Sequence, residues 1–346
     1  MAGVPADMMS AAVYQGDGRI EVEQVPVPDP GPGEMLIEIS ACGICGSDLH
    51  LVFDGYASPG SILGHEWSGT VASHPTDSGW TAGDRVVFSP TPGCGRCRPC
   101  RRGRPAVCRD RPPSDLRDQR GAFAQFITVG TGNAVRIPAS LSSRSAALAE
   151  PTAIALHAIR LSGARTGDRV LVTGGGPVGL LVTAVLRAQG VADITVSEPV
   201  EARRLRALAV GAARVVRPDA LEAPGPGTTV EHPFAVAFEC SGRARAAEQA
   251  LGQLDRAGTL VFVGTGPEPV AVNHNRMIVL ELEAVGAVNY DDDGLVAALD
   301  LLDGGSLPLG HLIEADTVPL GELMETMRRL SRGEIPAKVL VHPEVS

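Results

Sequence analysis

Residues 169–187 read RVLVTGGGPVGLLVTAVLR. Val170, Leu171 and Val172 make a short apolar run closed by glycines, the pattern of a buried strand. Gly174-x-Gly176-x-x-Gly179 follows, and Val178, Leu181, Val182, Val185 and Leu186 then recur at the spacing of one helical face. Gly190 predicts the end of that helix. A second strand over 193–197 runs into Glu198, about 20 residues past the last of these glycines, where an acid meets the ribose of an adenosine. A lone glycine motif would predict only a turn, whereas strand, turn, helix, second strand and acid together predict a dinucleotide-binding unit. Gly174 permits the tight turn, Gly176 lets the backbone approach a pyrophosphate, and Gly179 lets the helix pack on the strand. Pro177 and Val178 open the helix, whose unpaired N–H groups face the phosphates. Arg203 completes the cofactor-binding candidates: it and Arg204 could bind a 2′-phosphate if turned inward. Their spacing beside Ala202, Leu205 and Leu208 places them instead on the solvent face of the next helix, so Glu198 predicts NAD with NADP disfavoured.

Around this unit, strands over 234–238, 259–263 and 283–288 extend the sheet, and Cys240 is expected simply to pack near the end of one of them. From about residue 152 strands alternate with amphipathic helices, the mark of a parallel sheet covered on both faces. The first third differs: short β-favouring runs over 11–14, 19–22, 35–41, 69–73, 85–88 and 123–129 are each bounded by turn residues. The fold class is therefore α/β in two parts, and 346 residues with 44% hydrophobic content suffice for two cores. The stretch 223–228, rich in Pro and Gly, reads as a loop between elements.

Cys94, Cys97, Cys100 and Cys108 form a C-x2-C-x2-C-x7-C run in a lobe rich in Pro and Gly, matching a closed Zn-thiolate site. Two disulfides are the alternative. The chain opens MAGVPADMMS without an apolar leader, and no run reaches about 18 apolar residues, so a cytoplasmic location without a membrane span is expected and metal is favoured over disulfides. A nucleic-acid zinc ribbon needs two separated C-x2-C knuckles, and a net charge of -10 opposes a phosphate backbone, so no nucleic-acid partner is expected. Arg96, Arg98, Arg101, Arg102 and Arg104 then read as a solvated loop face.

A second constellation precedes the lobe. Cys42-Gly-Ile-Cys45-Gly-Ser47-Asp48-Leu-His50 is followed by Gly64-His65-Glu66 and by Glu150-Pro151. A thiolate, an imidazole and a carboxylate can hold Zn²⁺ with a fourth position left for substrate, although any one of these residues alone reads as structural. Cys42 reads as a small buried residue. Ser47-Asp48 also fits a helix N-cap, and Trp67, Phe53 and Tyr56 could each wall a pocket or fill a core.

These motifs, in this order, resemble the zinc-dependent medium-chain alcohol dehydrogenases over nearly the whole chain. Within them the sequence is most similar to the polyol, butanediol and threonine dehydrogenase branch, because Glu150 stands where the classical alcohol dehydrogenases have a cysteine. The resemblance implies a GroES-like β catalytic domain over 1–153, a Rossmann doubly wound sheet over 154–288, and a segment over 289–346 that completes the first domain. It implies that the Gly-His-Glu motif, Glu150 and the glycine fingerprint meet at one cleft between the domains. It implies two Zn²⁺ per subunit, with Cys45 and His65 on the catalytic ion. Glu66 and Glu150 remain open as the third ligand, since relatives use either acid and either one neutralises the charge equally. Asp48 would accept a hydrogen bond from the ligand histidine and fix its tautomer.

The reaction so implied is hydride transfer from a carbinol carbon to the nicotinamide, with the proton leaving through Ser47 and the His50 imidazole. The expected substrate is a secondary alcohol or its ketone bearing a vicinal oxygen or nitrogen function, handled by a homo-oligomer, tetramer or dimer. Two other classes stay in view: a reductase of an activated C=C bond, whose members lack both zinc constellations, and a non-catalytic zinc and nucleotide-binding protein, for which an open ligand set would be superfluous.

Overall fold

Each β-favouring run of the first third lies in a strand or overlaps one. In the computed structural model, which describes residues 7–111, 120–225 and 227–344, these are β1 (Met8–Gly16), β2 (Arg19–Pro26), β3 (Glu34–Gly43), β4 (Glu66–Ser73), β5 (Arg85–Phe88) and β6 (Phe126–Gly130). Pro226, inside the expected loop over 223–228, and most of the opening segment lie outside the described residues. Helix α1 (Gly46–Phe53) leaves the end of β3, and β7 (Ala134–Arg136) follows β6. The chain then alternates: α2 (Ala149–Ser162), β8 (Arg169–Thr173), α3 (Pro177–Ala188), β9 (Asp193–Ser197), α4 (Glu201–Ala209), β10 (Arg214–Val216), β11 (Phe234–Glu239), α5 (Ala244–Gly252), β12 (Leu254–Phe262), α6 (His274–Leu280) and β13 (Glu283–Gly286). It closes with α7 (Gly294–Asp303), β14 (Val318–Pro319), α8 (Leu323–Ser331) and β15 (Leu340–His342).

Contacts divide the chain into two units. The first holds Met1–Glu150, Asp291–Gly304 and Glu314–Ser346. Its main sheet runs β14-β15-β3-β4-β5-β7, with β6 also on β3, and the returning β15 pairs Val341 with Cys42. Met35, Ile37, Ile39, Leu63, Phe123 and Met327 are among the side chains that fill its core. Trp67 belongs to that core, tilted on Phe88 at 6.4 Å, and Cys42 is buried there as a small residue; Phe53 and Tyr56 are exposed.

The second unit holds Pro151–Tyr290 and Gly305–Ile313. Its sheet is parallel throughout, in the order β10-β9-β8-β11-β12-β13. Strand order reverses between β8 and β11, the switch point at which doubly wound sheets open a crevice. Residues 305–313, expected within the returning segment, pack with this unit instead: the turn Leu309–Leu312 lies on α3, and Arg206 Nη1 donates to the His311 carbonyl at 3.2 Å. No helix among the described residues is long and apolar enough to cross a membrane.

Candidate active site

Cys45 is the N-cap of α1, and its N–H donates to Asp48 Oδ2 at 2.9 Å. The cap is thus Cys45 with Asp48 reaching back to it, rather than Ser47-Asp48 as the sequence suggested. The other oxygen of the fully buried Asp48 lies 3.5 Å from His65 Nδ1, so one carboxylate orients both the turn carrying Cys45 and the imidazole. Burial opposes the charged form of His65, but Asp48 and Cys45 outweigh it and hold the imidazole well above its ordinary pKa.

Glu66 opens β4 opposite Gly43 of β3 and is fully buried. Its partner is Lys338, whose Nζ lies 2.7 Å from Oε1 and 2.5 Å from Oε2, and also donates to the Ile44 carbonyl at 2.9 Å. A side chain at position 43 would sit on this pair: a Cβ there would approach the Glu66 Cβ and the Lys338 Cδ to 3.2 Å each. Burial works against the charge of Lys338, but Glu66, and after it Cys45 and Glu150, raise its pKa above the usual lysine value.

The ligand atoms of Cys45, His65 and Glu66 all lie within 4.8 Å of one another. Glu150, in the first turn of α2, is half-buried; burial, and repulsion from Glu66 and Asp48, push its carboxyl up to about 7 against the pull of His65 and Lys338. A thiol, an imidazole and a carboxylate that meet at one point make a donor set that fits a divalent cation.

The lobe satisfies a stricter test. The four sulfurs of Cys94, Cys97, Cys100 and Cys108 lie within 4.8 Å of one another, and Cys97 Sγ is 3.9 Å from Cys108 Sγ. A disulfide needs about 2.05 Å, whereas Zn–S bonds of about 2.3 Å in a tetrahedron place sulfurs about 3.8 Å apart. The Cys97 N–H points at Cys94 Sγ and the Cys94 N–H at Cys108 Sγ, each at 3.3 Å, and such donors favour thiolate. Cys108 is accordingly pulled down to about 6, chiefly by the Cys94 N–H. Asp292, just before α7, anchors the lobe by accepting from the Gly93 N–H and from Arg111 Nη2, both at 3.0 Å. Arg96, Arg98, Arg101 and Arg102 are exposed as expected, with Arg96 on Asp110, but Arg104 is half-buried.

In the second unit Glu198 follows β9 directly and is buried. It accepts from the Gly175 N–H at 2.7 Å and from the Val200 N–H at 2.9 Å, so it holds the glycine turn in shape. A methyl group on Gly179 would overlap the Gly174 carbonyl, the close helix approach that the fingerprint requires. Arg203 and Arg204 are not on the solvent face. Arg204 Nη1 donates to the carbonyls of Glu198 and Pro199 at 2.9 and 2.7 Å, and Arg203 is half-buried beside Gly175. Leu205 and Leu208 are the exposed residues, at 61% and 43%.

Residues 31–139 match the family described as alcohol dehydrogenase GroES-like domain, and residues 177–304 match zinc-binding dehydrogenase. Sorbitol dehydrogenase of Bacillus subtilis (strain 168) is 36% identical over 270 residues, covering 74% of this chain and 75% of its own. The chain belongs to the zinc-dependent medium-chain alcohol dehydrogenases. L-threonine 3-dehydrogenase of Pyrococcus abyssi (strain GE5 / Orsay) is 36% identical over 269 residues, covering 75% of this chain and 77% of its own. A crystal structure of a zinc-binding dehydrogenase from Sinorhizobium meliloti 1021 bound to NADP superposes with a TM-score of 0.83 at 32% identity, covering 98% of this chain and 100% of that one.

Of the expected catalytic-zinc residues, Cys45, His65 and Glu66 bring their ligand atoms together and Glu150 is not in that group, while Ser47 and His50 both lie on α1. His50 Nδ1 is 2.7 Å from Asp54 Oδ2, one helical turn on. Sequence reasoning missed Lys338, Asp292 and Asp54. Only Asp54, at i+4 from His50 on a helix, carried a local signal.

Proposed function

We propose that this dehydrogenase carries two Zn²⁺ per subunit and uses NAD in preference to NADP to interconvert a secondary alcohol, bearing a vicinal oxygen or nitrogen function, with its ketone. The observation that carries the reading is the convergence of Cys45, His65 and Glu66 within 4.8 Å, apart from the four-thiolate lobe. Zn²⁺ held there supplies Lewis acidity toward a hydroxyl or carbonyl oxygen. Cys45 and His65 hold it, and Asp48 keeps the His65 Nδ1 side occupied. Glu66 completes the set, its ligand atom lying with those of Cys45 and His65, and its pairing with Lys338 fixes the carboxylate there, with Glu150 the alternative acid. Ser47 and His50 carry the hydroxyl proton outward, with Asp54 Oδ2 holding the Nδ1 side of the His50 ring. A bound dinucleotide would supply the hydride acceptor, and Glu198 would hold its adenosine ribose.

The substrate class is supported by the sorbitol and threonine relatives, whose names specify a polyol and a hydroxyl beside an amine. Glu198, buried at the end of β9, supports NAD; the half-buried Arg203 beside Gly175 is the residue that could reverse the preference. A cytoplasmic homo-oligomer completes the proposal. Support for the oligomer is exposed apolar surface: Ile278 on α6 and Val288 just after the edge strand β13 are 69% and 60% exposed.

The test is metal content per subunit, followed by turnover with NAD and NADP across primary alcohols, secondary alcohols, diols, polyols and amino alcohols. Two zinc ions and NAD-linked oxidation of vicinally substituted secondary alcohols are expected. Full activity without metal, equal efficiency with both cofactors, or better turnover of simple primary alcohols would each overturn the corresponding part.

A further inference from the structure

Glu239, the last residue of β11, is 2% exposed, and its carboxylate is spent on the loop that follows it. Oε1 accepts from the Ser241 N–H at 2.7 Å and the Ser241 hydroxyl at 2.5 Å, and the Gly242 nitrogen lies 3.1 Å from each oxygen. Burial raises the Glu239 pKa and these donors pull it back. Charge-assisted bonds of this kind are short and directional, so they fix the backbone of 240–242.

The sheet register shows what that backbone faces. Glu239 stands opposite Thr173 of β8 on one side and Phe262 of β12 on the other. Its carbonyl accepts from the N–H groups of Val263 and Gly264, each at 2.8 Å, so the loop after β12 leaves the sheet beside it. The loops then interlock backbone against backbone. A Cβ on Gly174 or on Gly264 would lie 2.9 Å from the Ser241 nitrogen; one on Gly242 would overlap the Thr265 carbonyl, and one on Gly266 the Gly242 carbonyl. Three neighbouring strands thus end in loops that pack closely at their glycines.

A dinucleotide crosses this edge in a known direction. Glu198, at the end of β9, marks the adenosine side and the turn after β8 marks the pyrophosphate, so the other half extends over the loops that follow β11 and β12. We propose that Glu239 is a positioning residue for the nicotinamide half of the cofactor, holding 240–242 and, through Gly242, 264–266 in the shape that receives the ring and its ribose. The inference rests on the dinucleotide reading above. Glu239 acts through its loop, beneath which it is sealed.

Titration of the zinc-loaded protein with NADH and with ADP separates the two halves. Glu239→Ala is expected to weaken NADH by about 10-fold or more and to leave ADP within about twofold, which also shows that the unit is folded. Glu239→Gln, which keeps one acceptor oxygen, should recover NADH affinity to within about threefold. Gly242→Ala should reproduce the Glu239→Ala pattern, because its methyl group displaces the same loop. Unchanged NADH affinity in Glu239→Ala, or equal weakening of NADH and ADP, would overturn the proposal. A wild-type protein that binds neither ligand would instead overturn the dinucleotide reading and take this inference with it.

Discussion

Lys338 Nζ lies 2.7 and 2.5 Å from the two carboxylate oxygens of Glu66, with both residues buried and 272 positions apart in the chain. The pair closes the first unit across β3, since Lys338 also reaches the Ile44 carbonyl. Burying two charges is costly and their attraction offsets that cost, so the pair resists loss of either member more strongly than loss of both. Lys338→Ala should therefore destabilise the protein by about 3–5 kcal/mol in denaturant unfolding. Adding Glu66→Gln should recover a substantial part of that loss, because no uncompensated buried charge then remains. Additive losses in the double variant would show that the two side chains do not act as a pair.

Metal content should divide by site. Cys45→Ser is expected to lose one zinc and the activity while remaining folded. Cys100→Ser should lose the other zinc and destabilise the lobe, whose helical structure among the described residues is the short turns Arg98–Arg101 and Pro105–Val107. Chelator should strip the Cys45 site first, because its set leaves a position open. Loss of both ions together from either variant would contradict two independent sites.

Cofactor preference should follow the surroundings of Glu198. Glu198→Ala is expected to erode the preference for NAD by about 10-fold, equivalent to about 1.4 kcal/mol, and to loosen the Gly175 turn that it holds. Arg203→Ala should sharpen the preference by lowering whatever NADP activity exists. The ratio of kcat/KM values for NAD and NADP decides it, and an unchanged ratio in Glu198→Ala would remove the residue from cofactor selection.

His50→Gln should lower the hydride-transfer rate at neutral pH by about 10-fold or more, with partial recovery at higher pH or in imidazole buffer. Asp54→Asn should produce a smaller loss of the same kind, because it keeps the ring but weakens the bond to Nδ1. Deuterated alcohol establishes that hydride transfer, rather than cofactor release, limits the measured rate. A His50→Gln rate equal to wild type at every pH would leave the residue a structural role only.

What was legible in the sequence was whatever repeats over a short distance. The unit around Gly174 could be read because strand, turn and helix each have their own period, and the cysteine lobe because its ligands fall within fifteen positions, 94–108. Cys45, His65 and Glu66 could be named from short motifs, and the structure brings their ligand atoms together. Lys338 could not be read: it comes from the returning segment and carries no motif, and only the pairing of β15 with β3 delivers it to Glu66. The arginines of α4 were misplaced because a helical wheel treats leucine as the buried side, whereas this helix buries Ala207 and leaves Leu205 and Leu208 exposed. Strands β10, β14 and β15 are three residues long or fewer, too short for alternation to show.

The bond from the Gly93 N–H to Asp292 spans 199 positions. During synthesis the four thiols of the lobe emerge first, and at about 5–20 residues per second their last anchor follows about 10–40 s later. Throughout that interval the nascent chain presents the cysteine cluster before its clasp has been made. Stalled chains that end before residue 292 are therefore expected to react with maleimide faster at Cys94, Cys97, Cys100 and Cys108 than released full-length protein, making early zinc capture a matter of translation timing as well as of affinity.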